Sequence, residues 1–273
     1  SEPNLGLAPI WGIVIDTEGG LLAGRVGLGI LLMLAMAALV GLANGGLVAL
    51  LRMPPFMVTL VSMMIVGATA LWLTQSENVA SLPEAYVEIG KGELVSVYLG
   101  EKATPEIKRR EIHTLVGQAA VVAVALAIAA HLLLERTSFG RQLVAVGANR
   151  QAAEIAGVPV RRVTILAFVL SAMCAAVGAV LYSARLEAGR PSLGEGTFLL
   201  DVIGATVIGG TSLFGGKGRV AWTVFGVLFF VLLSNTLNLM NLSTFHIDMV
   251  KGAVILAAAL LDVARTRLSR GAA

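Results

Sequence analysis

Five stretches of this chain are each long and apolar enough to cross a lipid bilayer as one helix. They are Val26–Leu51, Met53–Ser76, Thr114–Leu134, Val163–Ala184 and Val220–Phe245, and none contains Asp, Glu, Lys or Arg. A helix rises about 1.5 Å per residue, so about 20 residues cover a hydrocarbon core about 30 Å thick. Backbone N–H and C=O groups find no water there, so such runs must be helices rather than open strands. Composition points the same way: 57% of residues are hydrophobic and 14% charged, too little polar surface for a soluble domain of this length. The expected fold class is all-α, a polytopic α-helical membrane protein.

Two further apolar segments are compromised. Leu199–Gly216 carries Asp201 and several glycines and is short for a crossing, so a broken or re-entrant helix competes with a tilted span. Asp201 is expected either to line the outer mouth or to cap its own helix. Ile247–Ala264 has Asp248 and Lys251 near one end, where long side chains can snorkel. Small residues suggest helix contacts: Gly41 with Gly45, and Ser171, Ala175 and Ala179, repeat at four-residue spacing. Cys174, the only cysteine, is expected to be a small packing residue and excludes an intrachain disulfide.

If the segments alternate, basic residues place Glu135–Arg162, Lys217, Arg219, Arg52 and the tail "ARTRLSR" in the cytoplasm. The long connection Gln75–His113 then falls outside. It ends in "KRREIH" but carries six glutamates before that, and long loops follow the charge rule weakly. The net charge of +3 gives no footing for nucleic acid.

Between two of the apolar runs lies "VGANRQAAEIAGVPVRR", Val146 to Arg162. Asn149 is a good N-cap, "RQAAEIA" favours helix, Gly157 suits a left-handed C′ position and Pro159 prevents continuation. The result is about two turns, too short to be stable alone in water. Ala152, Ala153, Ile155 and Ala156 offer a small apolar surface suited to a groove, edged by Arg150, Glu154, Arg161 and Arg162. An anchor lying on lipid headgroups usually shows large apolar side chains; mainly alanines favour contact with protein.

Other tempting sites fall away. "GGTSLFGGKGR" lacks both ends of the phosphate-loop pattern, with Thr211 where the first glycine belongs and Gly218 where Ser or Thr belongs. Its glycines instead allow close packing or a bend. His113, His131 and His246 are scattered, so no metal or cofactor site is expected, and no catalytic constellation marks the chain as an enzyme. Polar residues inside apolar runs tend to face a cavity. Asn44, Thr59, Ser62, Asn235 and Asn238 are therefore candidates for a pathway, since amides and hydroxyls supply both hydrogen-bond donors and acceptors. Equally, Asn44 and Asn235 could simply tie helices together.

Four stretches, in order, resemble the permeases of ABC-type sugar importers of the ribose, xylose and arabinose group. They are "GLANGGLVALLRMPPFMVTL", "TSFGRQLVAVGANRQAAEIAGVPVRRVTILAFVLSA", "LDVIGATVIGGTSLFGGKGRV" and "NTLNLMNLSTFHIDMVKGAVILAAALLD". The resemblance implies a multi-pass permease in the bacterial inner membrane. Its cytoplasmic helix would dock on an ATPase subunit, a periplasmic binding protein would deliver the sugar, and a second permease copy would complete the pathway. Asn149, Arg150, Ala152, Ala153, Glu154, Gly157 and Arg161 take the ATPase-coupling role by this resemblance. "IWGIVIDTEGGLLAGR" departs from the Gly-Ile-Asp-Leu-Ser-type motif of the group. Seven apolar segments against about ten in the group lead us to expect one permease domain lacking its first spans. A permease for branched-chain amino acids or another small solute is the alternative. A membrane-embedded enzyme or ATP-independent carrier would instead require a buried charged or metal-ligand cluster.

Overall fold

The computed structural model describes residues 22–80, 82–98, 112–194, 196, 198–212 and 215–271. They fall into two compact units, one within Ser1–Leu126 and Ile165–Pro191, the other within Ala127–Thr164 and Ser192–Ala273. Five helices are long and apolar enough to cross a membrane, and they coincide with the five uncharged runs. The protein is thus a polytopic helical membrane protein.

In the first unit, α1 (Leu22–Leu50) and α2 (Pro55–Leu73) are joined by a short turn with Arg52 at φ 56°. Pro55 starts α2 because a proline at the first helical position lacks only an N–H that would be unpaired anyway. Then come α3 (Glu84–Lys91), the strands β1 (Glu93–Tyr98) and β2 (Ile112–Gly117), and α4 (Gln118–Arg136), which begins in this unit. β1 and β2 pair antiparallel, Tyr98 opposite Ile112, with a register irregularity near Val95. This ribbon is an addition to the helical body. It claims Thr114–Gly117, so α4 starts at Gln118 rather than at Thr114 as the apolar run suggested. Most of the charged end of that connection, from Lys108, lies outside the described residues.

The later part of α7 (Val160–Leu186) also belongs to this unit. Gly41 and Gly45 of α1 bring the two backbones together: a Cβ on them would lie 2.8 Å from Cα of Val169 and of Ile165. Such proximity lets dispersion hold helices where lipid offers no hydrophobic drive. The other small-residue row does not take part, for Ser171, Ala175 and Ala179 are exposed. Cys174 is exposed too, which corrects its reading as a packing residue.

The short helix α3 is fixed to the end of α7. Tyr86 is buried with Val180 and Ala184, and its hydroxyl lies 2.7 Å from Ser183 Oγ. Burial raises the Tyr86 pKa above 10.0, only partly opposed by the Ser183 hydrogen bond, so the phenol stays protonated. Gly90 lets α3 approach the Ala184–Arg185 backbone, and Lys91 pairs with Glu187. That ion pair is about half exposed and adds little.

The second unit holds the rest: α5 (Ser138–Ala148), α6 (Arg150–Ile155), α8 (Phe198–Ile208), α9 (Val220–Leu239) and α10 (Thr244–Gly271). The expected apolar run to Phe245 breaks after Leu239, where Asn241 takes φ 55° and a new helix begins at Thr244. Helix α8 has 11 residues, about 16 Å of rise, so by itself it covers only about half of a hydrocarbon core. The broken-helix alternative therefore prevails over the tilted span.

Candidate functional site

The segment between α4 and α7 folds as two helices sharing one residue. Thr137 begins the first: its hydroxyl accepts from Gly140 N–H at 3.2 Å and donates to Leu133 C=O at 2.6 Å. Only glycine fits at 140, because a Cβ there would sit 2.1 Å from Leu134 O. Helix α5 ends at Ala148, and Asn149 is at once its C-cap and the N-cap of α6. The Asn149 side chain accepts from Ala152 N–H at 3.0 Å, one of the donors a helix start leaves unpaired.

The other end of α6 closes in a Schellman motif. Gly157 N–H donates to Glu154 C=O at 3.1 Å, and Val158 N–H to Ala153 C=O at 3.0 Å, with Gly157 at φ +80°. Both caps are where the sequence placed them. Within the helix, Arg150 Nε lies 3.7 Å from Glu154 Oε1. Ala152, Glu154, Ala156, Gly157, Asn149 and Arg161 are exposed, while Arg150 is partly covered. Ile155 is 88% exposed, more than any other large apolar side chain among the described residues. Ala153 needs correcting: at 5% exposure it faces inward and holds the helix to its own chain, so it offers no external contact.

The glycine-rich stretch takes the packing role. Helix α8 ends in the same motif as α6: Gly210 N–H donates to Val207 C=O at 2.8 Å and Thr211 N–H to Thr206 C=O at 3.1 Å, with Gly210 at φ +74°. A Cβ on Gly204 would meet Ile255 of α10 and Phe230 of α9, and one on Gly226 would lie 2.1 Å from Ala205 O. Helix α8 is thus wedged between two long helices. Asp201 lies in the first turn of α8, and its Oδ2 pairs with Lys251 Nζ of α10 at 2.8 Å. Lys251, expected to snorkel, is instead 13% exposed at its side chain.

The pathway candidates are dispersed. Ser62 of α2 hydrogen-bonds to Asn44 of α1, tying two helices of the first unit. The Thr59 hydroxyl returns to its own helix, at 3.1 Å from Pro55 O and from Phe56 O. Asn235 and Asn238 are exposed on α9 in the second unit, and Asn238 Nδ2 donates to Ser234 C=O at 2.9 Å. A cavity of about 240 Å³ in the first unit is lined by Met33, Ala70, Leu82, Pro83 and Tyr86, too apolar to satisfy the hydroxyls of a sugar. Among the described residues no three His, Cys, Asp or Glu gather as metal ligands.

Sequence reasoning missed α5, the stop at Gly210 and the Asp201–Lys251 pair. Each had a signal. Thr137 followed by a helix-forming run, Gly209-Gly210 after an apolar run, and opposite charges in two neighbouring apolar segments were all readable.

Five helices of bilayer length, with a short doubly capped helix between two of them and a half-length helix further on, define a polytopic helical membrane protein. The chain belongs to the family of branched-chain amino acid transport system permease components, whose model matches residues 7–259. It is 34% identical over 221 residues to the ribose import permease protein of Bacillus subtilis (strain 168), covering 80% of this chain and 62% of that one. It is 33% identical over 227 residues to the L-arabinose transport system permease protein of Escherichia coli (strain K12), covering 83% and 63%. The xylose transport system permease protein of the same strain is 30% identical over 282 aligned positions, covering 88% and 72%. The chain therefore spans less than two thirds of the length of the ribose and arabinose relatives. No solved structure matches it.

Proposed function

We propose that the chain forms the membrane pathway of an ATP-driven importer for a small, pentose-like sugar in a bacterial inner membrane. The observation that carries this reading is α6: a helix of six residues, capped at both ends, that presents Ile155 to solvent. So short a helix needs tertiary support, and Ala153 is the one residue of α6 that is buried. A groove on an ATPase subunit would cover Ile155, Ala152 and Ala156, while Arg150, Glu154 and Arg161 would set its register. The chain itself would hydrolyse nothing.

The sugars in the names of three relatives, ribose, arabinose and xylose, support the sugar class. A binding protein would deliver the sugar to the outer face, and a second permease copy would complete the pathway. Asn235 and Asn238 are the amides we assign to that pathway, since both are exposed while Asn44, Ser62 and Thr59 are partly covered. Nucleotide-driven movement of the ATPases would swing the docked helices and switch the cavity between outward- and inward-open states. The family description favours a second reading, an amino acid cargo.

The experiment is uptake into vesicles bearing the protein, its ATPase and its binding protein, with a panel of pentoses and branched-chain amino acids. Competition by pentoses alone is the expected result, and competition by amino acids alone would replace the sugar assignment. The variant Glu154→Lys with Gly157→Leu should lose both ATPase association and uptake. Retention of both would remove the coupling role.

A further inference from the structure

The glycine-rich connection after α8 is not explained by the docking of α6, yet it touches the segment that carries α6. A Cβ on Gly147 would lie 2.7 Å from Gly216 N, one on Gly215 2.6 Å from Gly147 O, and one on Gly216 2.7 Å from Ala148 Cα. Two backbones therefore meet with no side chain between them. Gly215 and Gly216 have a conformational reason to be glycine, at φ +89° and +76°. Gly147 has none: it lies in the last turn of α5, where glycine is destabilising relative to alanine. The contact is what requires it.

Both sides of this contact are rigidly continued. On one side, Asn149 follows Gly147 by two residues; its N–H donates to Ala145 C=O of α5 at 3.0 Å, and its side chain caps α6. On the other, the loop is closed on itself by Ser212 N–H to Lys217 C=O at 3.0 Å and Gly215 N–H to Ser212 C=O at 3.2 Å. The hydroxyls of Thr211 and Thr223 lie 3.1 Å apart, joining the loop to the start of α9. A Cβ on Gly209 would lie 2.6 Å from Thr223 Cα, so the end of α8 is seated on α9 as well. The loop, α8 and the start of α9 thus form one packed piece.

We infer that Gly147 and Gly215–Gly216 form a backbone seat that passes movement of α6 directly to the half-length helix α8. The inference rests on the docking reading of α6 and adds a second route beside the covalent one through α7. A contact between backbones leaves no flexible side chain to absorb a displacement, and close-packed elements transmit rather than dissipate small shifts. Gly147 is a positioning residue on this account: it touches neither nucleotide nor cargo.

The test is Gly147→Ala in the complete transporter, read as sugar imported per ATP hydrolysed. One added methyl must push Gly216 away, and the ratio should fall by about fivefold or more, the lower bound of a useful coupling between sites. The amount of ATPase subunit that co-purifies should not change. Gly178→Ala, where a Cβ meets nothing within 4 Å, is the control and should leave the ratio as in wild type. An unchanged ratio in Gly147→Ala overturns the seat, and so does loss of ATPase association, which would mean that Gly147 only shapes the docking surface. Failure of the docking reading looks different, since the wild-type protein would then not retain the ATPase at all. If Gly147→Ala does not fold, a second measurement decides. A short thiol cross-linker between Ala148→Cys and Lys217→Cys, in a Cys174→Ser background, should leave uptake intact because the contact is fixed. Uptake lost with ATP hydrolysis preserved would show that the two segments must part, and would overturn the inference.

Discussion

Helices α6 and α8 end alike and live differently. Each is shorter than a bilayer crossing, and each stops in a Schellman motif with a left-handed glycine, Gly157 or Gly210. Helix α8 finds its support inside the chain: Gly204, Ala205 and Val207 are buried between α9 and α10, and Asp201 is paired with Lys251. Helix α6 buries only Ala153 and leaves Ile155 in solvent. The lesson is that a capped end specifies where a short helix stops, while its neighbours decide whether it persists. One neighbour set is present in this chain. The other, on the proposed docking of α6, would come from a second protein.

The largest effect that can break this comparison lies in α8. Gly226→Val would drive a side chain into Ala205 O, 2.1 Å from the first added carbon, and overpacking against a backbone atom belongs at the upper end of its usual cost, about 3 kcal/mol. Thermal unfolding in detergent should show it, and a near-native melting temperature would mean that α8 is not wedged as described. Next comes the ion pair. Asp201→Asn or Lys251→Met leaves one partly buried charge alone and should cost about 1–3 kcal/mol, whereas the double variant should recover most of that loss. Additive losses in the same unfolding assay would show that the two residues do not depend on each other.

Smaller effects separate the two helices more finely. Asn149→Ala removes the cap of α6 and should cost about 1 kcal/mol locally. Because few contacts tie α6 to the chain, hydrogen exchange at 150–156 should quicken while the global melting temperature stays put. Equal changes in both would place α6 inside the cooperative core. Gly157→Ala meets no neighbour within 4 Å but keeps φ at +80°, a strain of about 1 kcal/mol, again confined to α6.

The long helices were legible because hydrophobic runs of bilayer length have a single structural solution, and the ends of α6 were legible because Asn149, Gly157 and Pro159 are local signals. What could not be read was anything set by a distant partner. Asp201 and Lys251 stand out as opposite charges in two apolar segments, but the pattern does not tell that they meet across fifty residues. The four-residue rows look alike in sequence, yet Gly41 and Gly45 meet α7 while Ser171, Ala175 and Ala179 are exposed. Likewise Thr114–Gly117 is as apolar as the helix after it, and only its pairing with β1 makes it strand. At the candidate site the shape of α6 was readable. The inward turn of Ala153 was not, because the face a short helix shows depends on what it rests against.

The central claim is that α6 is held by a protein outside this chain, with Ile155 as its anchor. The most direct measurement is the affinity of the detergent-solubilised protein for its ATPase subunit, compared with that of Ile155→Glu. Burying an isoleucine side chain contributes about 1.5–3 kcal/mol, so affinity should fall by at least about tenfold while the melting temperature of the protein is unchanged, as befits a side chain already in water. Equal affinities for the two proteins would contradict the account.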